Sequence, residues 1–550
     1  MSTLGEPSDA KLSQREPDRR TPDGRQTRWQ SQLGIPRNRG TLLLPDSTQK
    51  GVYPTSYVAH RLLLSTLADA ERNQKLLAEV AERFGWSIQR DETFPEVRVP
   101  ESEDARSDRR RRLPWATGPL GLLRVTLVAR DGAPDPDAWK VLQAARAERR
   151  ADEGEPLFGV SLEHILTVGV GANPFHSTNP FHSTNPFHST NPFHSTNPFA
   201  VNGAGPEDAY AEPGSGGLQP IAFAGLPPTR ADDTQRGGRR RAVVGTLDTG
   251  CGIHPWLDAV VTKGWTLPAP IVGYATAATD PELHPDQTGE LDGVMDEVSG
   301  HGTFISGLIH QTAPDADIIA WRVVDSDGTV VESDLVTALH GIAALIDKAA
   351  RGESDGVGLD VLSLSMGYYH ETPQDIAFDP TMYEILAAMG RNGTIVVVSA
   401  GNDATTRPSF PAAFAPWDDG TTWLPLDPES VPIVSVGALN PNRTTVALFS
   451  NSGAWVRSYQ LGAAVMSTLP VGFQGGWQPA AAVDAAGHRR ASIDPDDFTG
   501  GFAVWSGTSF AAPIMAGKLA ACVDELMAAG GTPGFELGWA AVEKETPLRP

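Results

Sequence analysis

The chain has 550 residues, of which 40% are hydrophobic and 20% are charged, and its formal net charge is −23 at pH 7. This length exceeds one ordinary domain, so two or more folded units are expected, each with enough apolar residues for a core. The excess of acid argues against nucleic acid and anionic membrane surfaces as partners. The two cysteines, Cys251 and Cys522, are too few for a disulfide framework.

Targeting signals are not expected in this sequence. The segment MSTLGEPSDAKLSQREPDRR lacks the apolar stretch of a signal peptide, and the sequence contains no run of 18 apolar residues that could span a bilayer. Cytoplasmic residence is therefore expected, and export by a non-classical route is left open. Residues 1–40 are polar and rich in Arg, Pro and Gln, which predicts a disordered segment.

Residues 41–172 predict a small α+β domain. Strands are expected at Tyr57–Ser65, Gly85–Arg90, Leu122–Ala129 and Phe158–Val168. Helices are expected at Ala68–Phe84 and Asp135–Ala147, and the basic run Arg109–Arg112 is assigned to a charged, solvated loop. The resulting order β-α-β-β-α-β is that of ferredoxin-like domains.

Residues 173–241 are predicted to form a linker that contains a repeat. The unit Asn-Pro-Phe-His-Ser-Thr occurs four times from Asn173 and then begins a fifth time. Proline at every sixth position excludes a helix and a central strand. In a polyproline II conformation every Phe and every His would lie on one face. A tether is the favoured interpretation, with metal or partner binding as alternatives, although histidines six residues apart do not make a preformed zinc site.

From Ala242 onward, short β-branched runs alternate with helical patterns. The runs are AVVGTLD, DIIAWRVV, DVLSLSM, TIVVVSA and IVSVGAL. Near-continuous apolar strands are typical of a parallel sheet that is buried on both faces. Helices expected at Ser333–Ala350 and Thr381–Arg391 suit right-handed crossovers between such strands. Residues 242–550 therefore predict a doubly wound, mainly parallel α/β domain.

Three glycine-rich motifs in this part of the chain carry an acid, a histidine and a serine. Asp248 ends the run AVVGTLD, where a buried carboxylate needs a hydrogen-bond donor. His301 lies between two glycines in SGHGT, and Ser509 lies in WSGTSFAAP at the predicted start of an apolar helix. Taken singly, each residue has an ordinary structural interpretation: a turn aspartate, a structural histidine and an N-cap serine.

Together, the motifs D-T-G, H-G-T and G-T-S-x-A-A-P resemble those of the subtilisin-like serine proteases, or subtilases, in this chain order. The resemblance covers residues 242–530. It implies a serine endopeptidase in which Ser509 attacks the carbonyl carbon, His301 transfers the proton and Asp248 orients His301. The segment VVVSAGNDA resembles the end of the family's oxyanion-hole strand, which implies that the amide of Asn402 stabilises the oxyanion.

The resemblance also implies where a peptide would lie. Five positions are expected to form the sides of the substrate cleft: Ser365, Met366, Gly367, Ala400 and Gly401. The segment RPSFPAAF is expected near the base of the specificity pocket. The sequence departs from the family pattern at Gln460-Leu461-Gly462, where Ala-Pro-Gly is usual, and in a Gly/Ala/Asp-rich insertion between Pro470 and Gly501.

Subtilases are often made with a ferredoxin-like prodomain, so the resemblance implies that residues 41–172 act as an intramolecular inhibitor. The other expected partners are protein or peptide substrates, without nucleic acid or membrane. The chemistry requires no cofactor and no catalytic metal. Acidic residues between Asp280 and Glu297 are candidate ligands for a structural calcium ion, although a solvated acidic loop is the commoner explanation.

Two other functions are left open by the sequence. One is a binding module on a subtilase scaffold that does not cleave. The other is a metal- or partner-binding protein that acts through the histidine repeat. The sequence alone does not determine the substrate, the residue preferred before the cleaved bond, the release of the N-terminal domain or the oligomeric state.

Overall fold

A computed structural model describes residues 41–43, 51–94, 97–98, 103–154, 156–168, 210, 216–222, 224–267, 272–288, 293, 295–372, 380–420 and 423–546. The predicted disordered segment 1–40 and the NPFHST repeat lie outside these residues. The assignment of the repeat as a tether therefore stays a prediction.

The N-terminal part of the chain contains six strands and three helices within the described residues. They are β1 (Thr41–Leu43), β2 (Thr55–Ser65), α1 (Ala70–Glu82), β3 (Trp86–Arg90), β4 (Val97–Arg98), α2 (Glu103–Arg112), β5 (Gly121–Ala129), α3 (Ala138–Glu153) and β6 (Val160–Val168).

The remaining elements follow the linker. The first are β7 (Gln219–Pro220), β8 (Val243–Asp248), β9 (Val261–Lys263), α4 (His301–Thr312), β10 (Asp317–Arg322), β11 (Thr329–Val331), α5 (Glu332–Ala350), β12 (Val361–Leu364), β13 (Met366–Gly367), α6 (Pro380–Arg391) and β14 (Ile395–Ser399). The last are β15 (Trp417–Asp418), β16 (Trp423–Leu424), β17 (Val434–Leu439), β18 (Ser458–Leu461), β19 (Val465–Thr468), β20 (Ala482–Ala485), β21 (His488–Ala491), β22 (Phe502–Trp505), α7 (Thr508–Ala528) and α8 (Phe535–Glu545).

A parallel sheet forms the centre of this second part. Within the described residues its strand order is β18-β17-β14-β12-β8-β10-β9, and each neighbouring pair is parallel. Alternate residues face two different cores: Leu362 and Val398 pack with α5 and α6, whereas Val361 and Val397 pack with α4 and α7. The predicted doubly wound α/β fold with a mainly parallel sheet is confirmed, and its near-continuous apolar strands follow from burial on both faces.

The N-terminal elements follow the order β-α-β-β-α-β, with β4 and α2 inserted before β5. Their strands are antiparallel and lie in the order β6-β2-β5-β3. Side chains of α1 and α3, such as Leu77 and Leu142, pack on one face of this sheet. The other face packs against the second part of the chain, where Leu63 and Leu122 join the core that contains α5 and α6.

The basic run at Arg109–Arg112 was wrongly predicted to be a charged, solvated loop. It forms the end of α2, because arginine is a good helix former and the side chains find buried partners. Arg109 is buried and donates to the main-chain oxygens of Ala116 at 2.7 Å and Gly118 at 3.2 Å. Arg112 forms an ion pair with Glu384 of α6 at 3.1 Å. The run therefore joins the N-terminal part to a helix of the second part.

Strand β6 joins the two parts of the chain. Its residues Ile165 to Thr167 pair antiparallel with β11, and Val168 pairs with Met366 of β13. The predicted last strand of the N-terminal domain thus continues into the second part as an added strand. Its end lies beside β13, which contains two of the residues predicted to line the cleft.

Buried charges lie between the N-terminal sheet and α5. Arg124 of β5 is fully buried, and it donates to Asp91 at 2.9 Å and to the hydroxyl of Ser333 at 3.1 Å. The Ser333 hydroxyl also donates to Glu163 of β6, which is itself fully buried. Burial of a charge is unfavourable unless it is paired, so the interface depends on this pairing.

His164 of β6 is held between two carboxylates of the second part. Its Nδ1 lies 2.6 Å from Glu332 of α5, and its Nε2 lies 3.0 Å from Glu371. Two carboxylate acceptors require a proton on each ring nitrogen, so the docked ring is an imidazolium. Burial by itself would lower the pKa of His164, but the two carboxylates outweigh burial and raise this pKa to about 10.

His164, His370 and Glu371 are also residue types that bind metal ions, and their ligand atoms lie within 4.8 Å of one another. However, Nδ1 of His370 accepts a hydrogen bond from the N–H of Thr372 at 3.0 Å. Its proton therefore lies on Nε2, the nitrogen that faces Glu371. Arg146 neutralises the other carboxylate oxygen of Glu371 at 3.1 Å. The protons on the two histidines and the guanidinium of Arg146 satisfy this cluster, so it needs no metal ion.

The interface generates a prediction about pH. A solvated histidine has a pKa of about 6.5, whereas docked His164 has a pKa of about 10, so docking takes up a proton. Docking should be tightest below about pH 6.5 and should weaken by up to about tenfold per pH unit as pH rises towards 10. Asp334 acts in the same direction, because burial raises its pKa to about 7.

The measurement uses a Ser509→Ala chain with a specific protease site inserted in the repeat. After the cut, the affinity between the two pieces is measured at pH 6.5, 7.5 and 8.5. Glu371 and His370 should contribute little to the slope: His164 and Arg146 outweigh the burial of Glu371 and hold it ionised, and burial keeps His370 neutral. The variant His164→Gln should bind more weakly and lose most of the slope. A parent affinity that is constant across this range would contradict the prediction.

Candidate active site

Asp248 and His301 form a buried pair at the carboxyl edge of the parallel sheet. Asp248 ends the central strand β8 and is only 1% exposed, and His301 is the first residue of α4 and is fully buried. Nδ1 of His301 lies 2.7 Å from Oδ1 of Asp248. The N–H of Thr249 donates to the same oxygen at 2.8 Å. The carboxylate therefore fixes the proton of the ring on Nδ1, and Nε2 becomes the acceptor.

Nε2 of His301 is buried and has no hydrogen-bond partner among the described residues. The ring lies between Trp505, with ring centroids 5.8 Å apart, and Phe510, at 5.3 Å. Helix α4 also packs directly against α7. The ring is thereby held beside the first turn of α7, which carries Ser509.

Ser509 is the second residue of α7 and is fully buried. Its Oγ lies 3.4 Å from the main-chain oxygen of Ser365, a long hydrogen bond. In return, the hydroxyl of Ser365 donates to the main-chain oxygen of Ser509 at 3.0 Å. The N–H groups in the first turn of a helix lack intrahelical acceptors and carry partial positive charge. The serine hydroxyl therefore lies where a developing anion is stabilised.

Asn402 lies against the residue that precedes Ser509. Its Oδ1 accepts hydrogen bonds from the N–H of Thr508 at 2.9 Å and from the Thr508 hydroxyl at 2.8 Å. That hydroxyl in turn accepts from the N–H of Gly401 at 3.0 Å. These contacts fix the orientation of the carboxamide and assign Nδ2 as its donor end.

The five residues predicted to line the cleft lie at the ends of two adjacent strands. Ser365 follows β12, and Met366 and Gly367 form β13. Ala400 and Gly401 follow β14, the neighbour of β12. Asn451 supports the second segment by donating to the main-chain oxygen of Ala400 at 2.8 Å. The structure thus brings these segments together beside Ser509.

Met366, Tyr368 and Tyr369 pack inside the protein. Met366 and Tyr368 are buried, and the Tyr369 hydroxyl contacts Asp403 and Asn451. The segment RPSFPAAF lies beside the residues that follow β13, since Phe410 and Tyr368 exchange main-chain hydrogen bonds at 2.8 and 2.9 Å. The ring centroids of these two residues are 6.0 Å apart.

Residues 239–533, more than half of the chain, match the model of the subtilase family, Peptidase_S8. The chain belongs to the subtilase family. The "Intracellular serine protease" of Paenibacillus polymyxa is 26% identical over 291 residues, which is 51% of this chain and 66% of that protein. "Serine protease AprX" of Bacillus subtilis is 28% identical over 228 residues, which is 36% of this chain and 46% of that protein.

This subtilase therefore spans slightly under two thirds of the first of these relatives and about half of the second. Among solved structures, that of fervidolysin from Fervidobacterium pennivorans, titled as a keratinolytic enzyme related to subtilisin, is similar with a TM-score of 0.40 and 17% identity. The similarity covers 91% of this chain and 59% of that one. In the described residues of this subtilase, no helix combines the length and the apolarity that a membrane span requires.

Sequence reasoning missed three residues that hold the site together. Thr508 orients Asn402, and Asn451 supports the strand end at Ala400. Glu282 is a buried carboxylate that contacts the threonines of both the D-T-G and the H-G-T motif. Thr508 could have been found from its place inside the G-T-S motif. The other two lie in segments without a recognisable pattern.

The predicted insertion between Pro470 and Gly501 contains the hairpin β20–β21, whose side chains are all exposed. The base of the insertion is buried, since Phe473 and Phe498 lie in the core with α4 and α7. A Cβ atom on Gly300 would lie 2.7 Å from Leu469 and 3.2 Å from Phe473. The base of the insertion therefore closes over the turn that precedes His301.

Two carboxylates in the described part of the segment between Asp280 and Glu297 are held by backbone donors, whereas Glu297 is exposed. Asp296 accepts from the N–H of Gln287 at 2.7 Å, and Asp286 accepts from the N–H of Gly293 at 2.8 Å. These carboxylates therefore bind backbone groups of their own loop. A structural calcium ion in this segment stays a prediction.

The contacts of Asn402 generate a second prediction. Asn402→Ala should lower kcat for a peptide substrate by about 10²–10³, with little change in KM, because an oxyanion-hole donor acts mainly in the transition state. The matched control is Asn392→Ala, since Asn392 is exposed at the end of α6 and should leave both constants unchanged. A fall in kcat of less than tenfold for Asn402→Ala would mean that another group holds the oxyanion.

Proposed function

We propose that this chain is a serine endopeptidase that hydrolyses peptide bonds in protein or peptide substrates. The observation that carries the proposal is the buried pair of His301 and Asp248, whose imidazole ring lies against Phe510, the residue after Ser509 in the first turn of α7. In this proposal Ser509 attacks the scissile carbonyl carbon. The relatives named as serine proteases support it.

His301 acts as the base and then as the acid. Its Nε2 takes the proton of the Ser509 hydroxyl as the new C–O bond forms, and later gives this proton to the leaving amine. Asp248 accepts the Nδ1 proton at 2.7 Å and stabilises the imidazolium that forms in between. Burial of the pair strengthens this interaction, because the local dielectric constant is low.

The oxyanion that forms on the carbonyl oxygen needs donors. The Nδ2 amide of Asn402 and the N–H of Ser509 supply them in this proposal, and the hydrogen bonds from Thr508 keep the Asn402 amide in one orientation. The helix dipole of α7 adds favourable charge at the same point.

Replacement of the nucleophile tests the activity. Ser509→Ala should lower turnover of a casein or peptide substrate by about 10⁶. The variant should fold normally, because only one oxygen is lost. It should also lose labelling by a fluorophosphonate probe. Ser492→Ala, in the exposed hairpin, is the matched control and should keep both signals.

Two other results would contradict the proposal in different ways. Undiminished hydrolysis in Ser509→Ala would exclude Ser509 as the nucleophile. A parent chain that neither hydrolyses peptides nor reacts with the probe would instead favour the non-cleaving binding module.

In the same proposal, the N-terminal part with β2 to β6 inhibits the second part. The support is the register of β6: Thr167 and Val168 pair with Gly367 and Met366, on a strand proposed to bind the substrate backbone. An extended inhibitor paired there would occupy the edge that a substrate needs. The repeat would keep the inhibitor at an effective concentration of around millimolar.

Inhibition in trans tests this part of the proposal. A chain cut within the repeat is separated into its two pieces, and the N-terminal piece, which contains residues 41–168, is added back to the catalytic piece. The rate should fall in a saturable manner, and the inhibition constant should be larger at pH 8.5 than at pH 6.5. A rate that stays flat, or a fragment that is digested at once, would exclude the inhibitor role.

A further inference from the structure

Glu282 is a buried carboxylate next to the catalytic pair that the proposed mechanism does not use. It lies in the segment between β9 and α4 and is 1% exposed. Its Oε1 accepts from the hydroxyl of Thr249 at 2.5 Å and from the N–H of Gly302 at 2.9 Å. Its Oε2 accepts from the hydroxyl of Thr303. All of these donors belong to the two motifs that contain Asp248 and His301.

The hydroxyls that bind Glu282 also connect the two motifs directly. Thr303 accepts a hydrogen bond from the N–H of Gly252 at 2.7 Å, and Thr249 accepts one from the N–H of Gly302 at 2.9 Å. The Thr249 hydroxyl lies 3.1 Å from Oδ1 of Asp248, the oxygen that binds His301. The loop after β8 and the start of α4 are thus fastened to one carboxylate.

The segment that carries Glu282 is itself anchored. The N–H of Glu282 donates to Asp280 at 2.9 Å, and Arg322, at the end of β10, donates to the main-chain oxygens of Thr276 and Thr279. A Cβ atom on Gly252 would lie 2.8 Å from the main-chain oxygen of Glu282. Only a residue without a side chain lets the loop after β8 approach Glu282 this closely.

The charges around Glu282 are mainly negative. Asp248 faces it from β8 and Asp280 from its own segment, and the cations Arg322 and Lys263 partly offset the effect of burial on Asp280. Cys251 is uncharged, because burial raises the pKa of its thiol to about 12. Burial, followed by these two acids, raises the pKa of Glu282 to about 7 despite the hydroxyl donors. The carboxyl group of Glu282 therefore changes between its charged and neutral forms near neutral pH.

We propose that Glu282 is a positioning residue of the catalytic site. It holds the loop of Asp248 and the helix start of His301 in register through Thr249 and Thr303. Its charged form accepts hydrogen bonds on both oxygens, whereas its neutral form must carry a proton on one of them. This inference rests on the proposed function, because it assumes that His301 is the base.

The test compares kcat/KM of the full-length parent, Glu282→Gln and Glu297→Gln from pH 5 to pH 9 with a small peptide substrate. Gln keeps the shape of Glu282 but removes its charge. At pH 8 to 9 its kcat/KM should be about ten- to a hundredfold below that of the parent, because alignment loosens. The two values should converge towards pH 5, because protonation of Glu282 in the parent removes the same negative charge.

Glu297 is exposed in the same segment and is the matched control, so its variant should keep the parental kcat/KM at each pH. Docking of the N-terminal part depends on pH in all three proteins alike, so the ratio of variant to parent isolates the effect. If Glu282→Gln does not fold, as judged by circular dichroism, Thr303→Val replaces it. That variant removes a donor to the carboxylate, and its loss of kcat/KM should likewise be larger at pH 8 than at pH 5.

The outcomes separate the two proposals. An active parent whose ratio to Glu282→Gln is the same at every pH overturns only the role of Glu282, because a merely structural role lowers kcat/KM equally at all pH values. A parent that shows neither hydrolysis nor labelling by a fluorophosphonate overturns the proposed function, and this inference with it.

Discussion

Asp248 lies at the carboxyl end of the central strand of a buried parallel sheet, where its carboxylate must be satisfied by hydrogen bonds. A lone carboxylate at this depth would cost several kcal/mol, so the chain brings donors to it. His301 and the N–H of Thr249 provide them. Meeting this requirement draws α4 against the sheet, and α7 packs on α4 in turn. The geometry of the site follows from satisfying this one group.

A second buried carboxylate, that of Glu282, lies next to this arrangement. Glu282 adds negative charge where Asp248 already needs compensation, and hydroxyl and backbone donors compensate it only in part. Groups with perturbed pKa values are common at functional sites, and burial raises the pKa of Glu282 to about 7. The two carboxylates have separate donors: His301 binds Asp248, whereas the threonines of the two motifs bind Glu282.

The sequence was most informative where a pattern is repeated or local. The apolar runs predicted β8, β10, β12, β14 and β17, because burial on both faces leaves a continuous signature. The motifs identified the family for the same local reason. The helix at Arg109–Arg112 was missed because four consecutive charges suggested a solvated loop, and the partner of Arg112, Glu384, is far away in the chain. Glu282 was missed because its partners are 33 and 21 residues away in the chain.

The joint between the N-terminal part and α5 depends on charges that are closed off from water, among them Arg124, Glu163 and His164. Mobile ions screen exposed charges within a distance of about 8–10 Å at ordinary ionic strength, but they reach buried pairs poorly. Added salt should therefore change the affinity across this interface very little. We expect pH, and not ionic strength, to govern how tightly the two parts of the chain bind each other.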